Sequence, residues 1–268
     1  MSGVLTHRLE GEGPPVLFLN GGLMSMSAWD AVARPLERAY RVLRCDLRGQ
    51  LLSPGTPPHT MEGHAAEVAA LLGHLGLPPV HVVGTSYGAF VGMILAAREP
   101  RRVCSLSVVT ATDALDAGMR ASVQALRRAC QQAVRAGDGG RVFDVLVPST
   151  FSPGWREANG EALAQRRGQV AALPVAWFQA LDGLLAALER LDLRDDLPRI
   201  RCRTLVVAAG EDATFPLPCS RAIAAAVAGA RLEVVAGSGH ALVVEQPERL
   251  LALVRAFLDD PQPLEAAS

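Results

Sequence analysis

The chain has 268 residues, enough for one large core or a core with one inserted subdomain, but not for several independent domains. Apolar residues make up 50% and charged residues 20%, with a formal net charge of −1 and a pI of about 6.6; a disordered chain, a membrane bundle and a globally basic nucleic-acid binder are excluded. All 26 basic residues are arginine, which also excludes a Schiff-base lysine and the phosphate-gripping lysine of a P-loop.

Residues 1–13 contain no apolar signal segment, and His7 is expected near a frayed start. No apolar run reaches spanning length, so a cytoplasmic protein without membrane or nucleic-acid partners is expected. Pro14-Pro15 leads into a buried strand at 16–19 that breaks at Asn20-Gly21-Gly22. A helical stretch at 28–37 precedes a second strand at 40–45, closed by Asp46-Leu47-Arg48-Gly49 and a Pro-rich loop. Over 61–75 the apolar positions Val68, Leu71, Leu72 and Leu75 recur at helical spacing, and Gly76 stops the helix before Pro78-Pro79. His64 and His74 on this helix are expected to face solvent or pack on its surface. Residues 80–83 then read as a central strand that runs into Gly84-Thr85-Ser86-Tyr87-Gly88 and a buried helix at 89–97.

After a strand at 103–109, strand signals disappear between residues 113 and 198. Helical stretches are expected there at 115–136, 141–146, 156–172 and 175–191. The sheet pattern resumes at 204–209 and 231–235, separated by a helix at 220–227, and a last helix at 247–258 precedes a tail. This alternation predicts an α/β fold: a mainly parallel sheet with helices on both faces and an inserted helical cap. The expected division is core 1–112, cap 113–198, core 199–260 and tail 261–268. Cys45, Cys104, Cys130, Cys202 and Cys219 are odd in number and lack metal-ligand spacing, so reduced thiols and no metal site are expected.

The chemistry centres on Ser86. A sharp strand-to-helix turn forces the serine toward positive φ among crowded neighbours, and Gly84 and Gly88 relieve that crowding. The helix N-terminus beyond it favours a developing negative charge. A serine hydroxyl needs a base, and six histidines allow elimination. His7, His59, His64, His74 and His81 lie on elements without loop freedom beside the serine. His240 sits in Gly237-Ser238-Gly239-His240, just past the last strand, where a loop can carry an imidazole over the carboxyl edge of the sheet. The third member should be a carboxylate ending another strand, and Asp212 in Gly210-Glu211-Asp212 is the choice, with Asp113 as the alternative from an earlier strand.

Asn20-Gly21-Gly22, Asp46-Leu47-Arg48-Gly49 with Ser53, Gly84 to Gly88, and Gly210 to Pro216 with Gly239-His240 together resemble the α/β-hydrolase superfamily across nearly the whole chain. The resemblance implies an oxyanion hole made by the backbone N–H groups of Gly22 and Tyr87, with Leu23 as the off-by-one alternative to Gly22. It also implies a cofactor-free enzyme, similar to esterases, enol-lactonases, perhydrolases and carbon–carbon bond hydrolases. Asn20 replaces the usual histidine and resembles the motif of 3-oxoadipate enol-lactonases; Gln50-Leu51-Leu52 replaces the usual glycine-containing segment and is expected to alter packing alone. Arg48 is expected in a buried structural ion pair with Asp46.

The resulting expectation is a serine hydrolase that cleaves a small, largely neutral ester or lactone through an acyl-enzyme on Ser86. The same residues leave open a carbon–carbon bond hydrolase, a perhydrolase and a ligand-binding, receptor-like homologue. Among the aromatics Phe151, Trp155, Trp177 and Phe178 of the cap, Trp177 and Phe178 are the first candidates for substrate contact. The expected partner is that small molecule, and a homodimer is compatible with the sequence.

Overall fold

The structure, a computed structural model, describes residues 4–260, so the expected tail 261–268 lies outside the described residues. Seven strands form one sheet: β1 (His7–Glu10), β2 (Pro15–Leu19), β3 (Arg41–Cys45), β4 (Val80–Thr85), β5 (Val103–Val109), β6 (Arg203–Ala209) and β7 (Arg231–Val235). Their order is β1-β3-β2-β4-β5-β6-β7, with β1 antiparallel to β3 and every other pair parallel. This is the mainly parallel sheet that the alternating sequence pattern predicts, arranged as the resemblance to the α/β hydrolases implies.

The central strands alternate their burial between two cores. Leu17, Leu19, Val82, Leu106 and Val206 face one apolar cluster, while Val16, Phe18, Val83, Val109 and Val207 face the other. A strand buried on both faces reads as a continuous apolar run, which is why these segments were legible. The first core is covered by α2 (Met61–His74), α3 (Tyr87–Arg98) and α9 (Leu217–Ala226). The second lies under α1 (Asp30–Ala33), α10 (Leu242–Glu245) and α11 (Pro247–Asp259), with Trp29 fully buried against Phe18. Arg44 on β3 is 1% exposed and pairs with Glu10, Asp30 and Glu37, tying β3 to the edge strand and to the α1 segment.

Several expectations are corrected. Residues 7–10 form β1 rather than a frayed start, because a strand at the sheet edge alternates half-buried and exposed positions and so carries polar residues. The helix expected at 28–37 is broken into a 3-10 turn at Met26–Trp29, α1, and another 3-10 turn at Arg34–Leu36 containing Pro35. His64 is fully buried instead of facing solvent, and its ring meets Tyr87 edge-on with centroids 5.4 Å apart.

Between β5 and β6 the chain leaves the sheet for α4 (Ala117–Ala136), α5 (Gly140–Thr150), α6 (Pro153–Ala158), α7 (Gly160–Ala171) and α8 (Val175–Leu188). The helix expected at 156–172 is divided at Asn159-Gly160, a pair that favours a turn over a continuous helix. The two stems of the insertion are joined by a bridge between Ala114 and Asp192, where Leu193 N–H donates to Asp113 O at 2.7 Å. Arg127 on α4 pairs with Asp182 on α8 at 2.7 Å and with Glu189 at 3.1 Å, fixing the longest helix of the insertion against its last. No single helix among the described residues is long and apolar enough to cross a membrane.

Candidate active site

The parallel register sets the site. Leu19 pairs with Gly84, Thr85 with Val109, Val109 with Val207, and Ala209 with Val235, so these strand ends lie along one edge of the sheet. The segments carrying Asn20, Ser86, Asp212 and His240 leave the sheet at that edge. This is where ligand sites form in open α/β sheets.

Ser86 joins β4 to α3 with φ 50° and ψ −116°, a backbone conformation that costs a non-glycine residue about 1–3 kcal/mol. Neighbouring chain holds it there: Ser86 N–H donates to Val109 O at 3.0 Å, and Ser86 O accepts from Ala89 and Phe90 N–H. The flanking glycines are needed for space. A Cβ on Gly84 would lie 2.5 Å from Gly88 O, and one on Gly88 would lie 2.2 Å from Leu19 O and 2.7 Å from Asn20 O. Gly88 therefore lets the start of α3 press against the end of β2. That approach brings Gly22 beside Tyr87, where a Cβ on Gly22 would be 4.0 Å from Tyr87 Cβ. Tyr87 opens α3, so its N–H has no carbonyl one turn earlier to bond and remains a donor at the helix N-terminus.

The turn carrying Gly22 rests on a buried polar network. Asn20 Nδ2 donates to Asp46 Oδ1 at 3.0 Å and to Gln50 Oε1 at 3.1 Å, and Gln50 Nε2 donates to Gly21 O at 2.8 Å. Asp46 also accepts from Met26 N–H at 2.6 Å and Leu52 N–H at 2.8 Å. Asn20 and Gln50 thus complement one another. Gln50 does more than alter packing, because its amide clamps the Gly21 carbonyl. The structure pairs Arg48 with Glu67 at 2.6 Å, where the sequence suggested Asp46.

Asp212 and His240, the acid and base expected from the sequence, are brought together. His240 Nδ1 lies 2.9 Å from Asp212 Oδ2, with the imidazole 11% exposed and the carboxylate 1%. Asp212 Oδ1 accepts from Thr214 and Phe215 N–H, both at 2.8 Å. A carboxylate so placed accepts a hydrogen bond from Nδ1–H, which keeps the proton on Nδ1 and leaves Nε2 as a free acceptor. Asp113 is instead used locally, accepting from Ala114 N–H at 3.0 Å.

The helix that begins after Ser86 packs against this pair through aromatic rings. Phe90, one turn after Ser86, meets Phe215 at 5.6 Å, and Phe215 meets the His240 ring at 5.2 Å, both edge-on. No hydrogen bond joins Ser86 and His240 among the described residues, and such contacts are often long before substrate binds. Phe178 lies inside the packing of the inserted helices, its ring 2.4 Å from where a Cβ on Gly139 would sit; Trp177 is half-buried beside it. The segment placed against the His240 loop is instead 150–152, with Phe151 buried next to Gly239. His64 was missed as a neighbour of Tyr87, although Met61, His64, Ala65, Val68, Leu71 and Leu72 mark one buried helical face.

The chain is 30% identical over 263 residues to a Caulobacter sp. (strain K31) protein provisionally named carbamate hydrolase RutD, covering 95% of each. The solved structure of a thermophilic esterase from Thermogutta terrifontis matches with a TM-score of 0.81 at 28% identity, over 95% of this chain and 92% of that one. The enol-lactonase of Burkholderia xenovorans LB400 shares the fold, with a TM-score of 0.84 at 24% identity over 96% of each chain. The model of the alpha/beta hydrolase family matches residues 16–253, which run from within β2 through β7 and include each segment of the site described above. The chain therefore belongs to the alpha/beta hydrolase family.

Proposed function

We propose that this protein is a serine hydrolase that cleaves a small, largely neutral ester or lactone through an acyl-enzyme on Ser86. The observation that carries the reading is the His240–Asp212 hydrogen bond of 2.9 Å, at the same sheet edge as a serine held at φ 50°. His240 Nε2 takes the Ser86 proton as Oγ bonds to the substrate carbonyl carbon, and the carbonyl oxygen becomes an oxyanion facing Gly22 and Tyr87 N–H. Collapse re-forms the carbonyl and expels the alkoxide, which leaves with the Nε2 proton as the alcohol. Water, deprotonated by His240, then attacks the acyl carbon, and Ser86 departs with the returned proton. The helices between β5 and β6 act as the cap over this site.

A second substrate class is favoured by one specific observation, the 30% identity to a relative provisionally named a carbamate hydrolase. The same two acyl-transfer steps would apply, with an amine or alcohol as the leaving group. A panel of short-chain nitrophenyl esters, aliphatic lactones, an enol-lactone, a simple carbamate, a vinylogous 1,5-diketone, and acetate with hydrogen peroxide separates the readings. Graded activity across esters and lactones is expected, since apolar pockets discriminate a methylene by only about 10- to 200-fold. A kcat/KM for the carbamate or the diketone about a hundred times that of every ester would replace the ester–lactone assignment.

A further inference from the structure

Glu245 makes contacts that the acyl-transfer mechanism does not use. Its Oε1 accepts from Ser152 N–H at 3.0 Å, and its Oε2 accepts from Ser152 Oγ at 2.6 Å and Gly239 N–H at 3.0 Å. Gly239 immediately precedes His240. On the other side of His240, Ala241 N–H donates to Thr150 O at 2.8 Å. The acid loop is tied to the same stretch, because Thr214 Oγ1 donates to Ser149 O at 2.9 Å and Thr214 N–H donates to Asp212 Oδ1. Residues 149–152, at the junction of α5 and α6, thus hold the loops of both Asp212 and His240. The packing is close: a Cβ on Gly239 would lie 2.4 Å from Ser152 N and 2.8 Å from Phe151 C.

We infer that Glu245 is a positioning residue, which with segment 149–152 of the inserted helices fixes His240 and Asp212 in the geometry that activates Ser86. The inference rests on the proposed roles of these three residues. The carboxylate is suited to this task because all three groups it meets are donors. An amide offers one acceptor oxygen, so Glu245→Gln turns its NH2 toward a main-chain N–H in either orientation. The insertion is then part of the acid–base machinery as well as a cover for the substrate. Misplacement of a reacting group by about 1 Å costs on the order of a hundredfold in rate.

The test measures kcat and KM for 4-nitrophenyl acetate, normalised to titrated sites, and the rate at which a fluorophosphonate labels Ser86. Glu245→Gln should lower kcat and the labelling rate together by at least about tenfold, with KM changed by less than about threefold. Thr214→Val, which removes the tie to Ser149 O, should lower both in the same direction and supplies the answer if Glu245→Gln fails to fold. Tyr40→Phe, which removes the remote bond from Tyr40 Oη to Asp259, controls for destabilisation and should leave both rates unchanged. Glu245→Gln or, where that variant does not fold, Thr214→Val retaining both rates within about twofold overturns the inference while Ser86 labelling in the wild type upholds the function. A wild-type protein that does not label at Ser86 overturns the proposed function and the inference with it.

Discussion

Asp212 and His240 meet through one carboxylate oxygen, Oδ2, while the other is held by the N–H groups of Thr214 and Phe215. The loop thereby dictates what an amide at this position would do. In Asp212→Asn the oxygen must stay at the Oδ1 site, so the NH2 points at His240 Nδ1 and forces the proton onto Nε2. The imidazole then holds the tautomer that cannot accept from Ser86. Steady-state kinetics should show kcat reduced by about 10⁴-fold, whereas Asp113→Asn should change it by less than about threefold.

The second prediction concerns acid stability. Burial of His64, with a smaller contribution from Arg48, lowers its pKa from 6.5 to about 4. The unfolded chain therefore binds more protons between those values, and stability falls as pH drops through that window. The loss approaches about 3 kcal/mol below pH 4. Neither ring nitrogen has a hydrogen-bond partner among the described residues, so the apolar His64→Leu should be neutral or stabilising at pH 7. Urea melts at pH 7 and pH 4.5 should show a smaller acid-induced loss in the variant; an equal loss would place the titrating group elsewhere.

A third prediction tests the support under Gly22. Gln50→Leu keeps the volume but leaves Leu47 N–H without its acceptor, and it takes one partner each from the Gly21 carbonyl, which keeps Met24 N–H, and the Asn20 amide, which keeps Asp46. Each unsatisfied buried group costs about 1–3 kcal/mol, so a clear fall in Tm is expected. The loosened turn should also lower kcat by about tenfold or more, since a preorganised oxyanion donor contributes on that scale. An unchanged kcat at a temperature where the variant is folded would separate the network from the proposed oxyanion turn.

The strands and the serine turn were legible because each is encoded locally. A strand buried on both faces must be apolar throughout, and the turn at Ser86 needs glycine where a Cβ would meet Leu19 O or Gly88 O. β1 was hidden because its half-exposed edge position tolerates His7, Arg8 and Glu10. The buried place of His64 was implied by helical spacing but masked by its polarity. Arg48–Glu67, Asn20–Gln50 and Glu245–Ser152 join residues 19, 30 and 93 positions apart, and spacing along the chain carries no signal for such pairs.

The nucleophile is tested most directly by trapping the acyl-enzyme. Mixing the protein with 4-nitrophenyl acetate and quenching in acid within the first turnover should release about one equivalent of nitrophenol per site. The peptide containing Ser86 should gain the mass of one acetyl group. Ser86→Ala should fold as the wild type does, carry no adduct and lose at least about 10³-fold in turnover. An acetyl group on a different residue, or near-wild-type turnover by Ser86→Ala, would contradict the account.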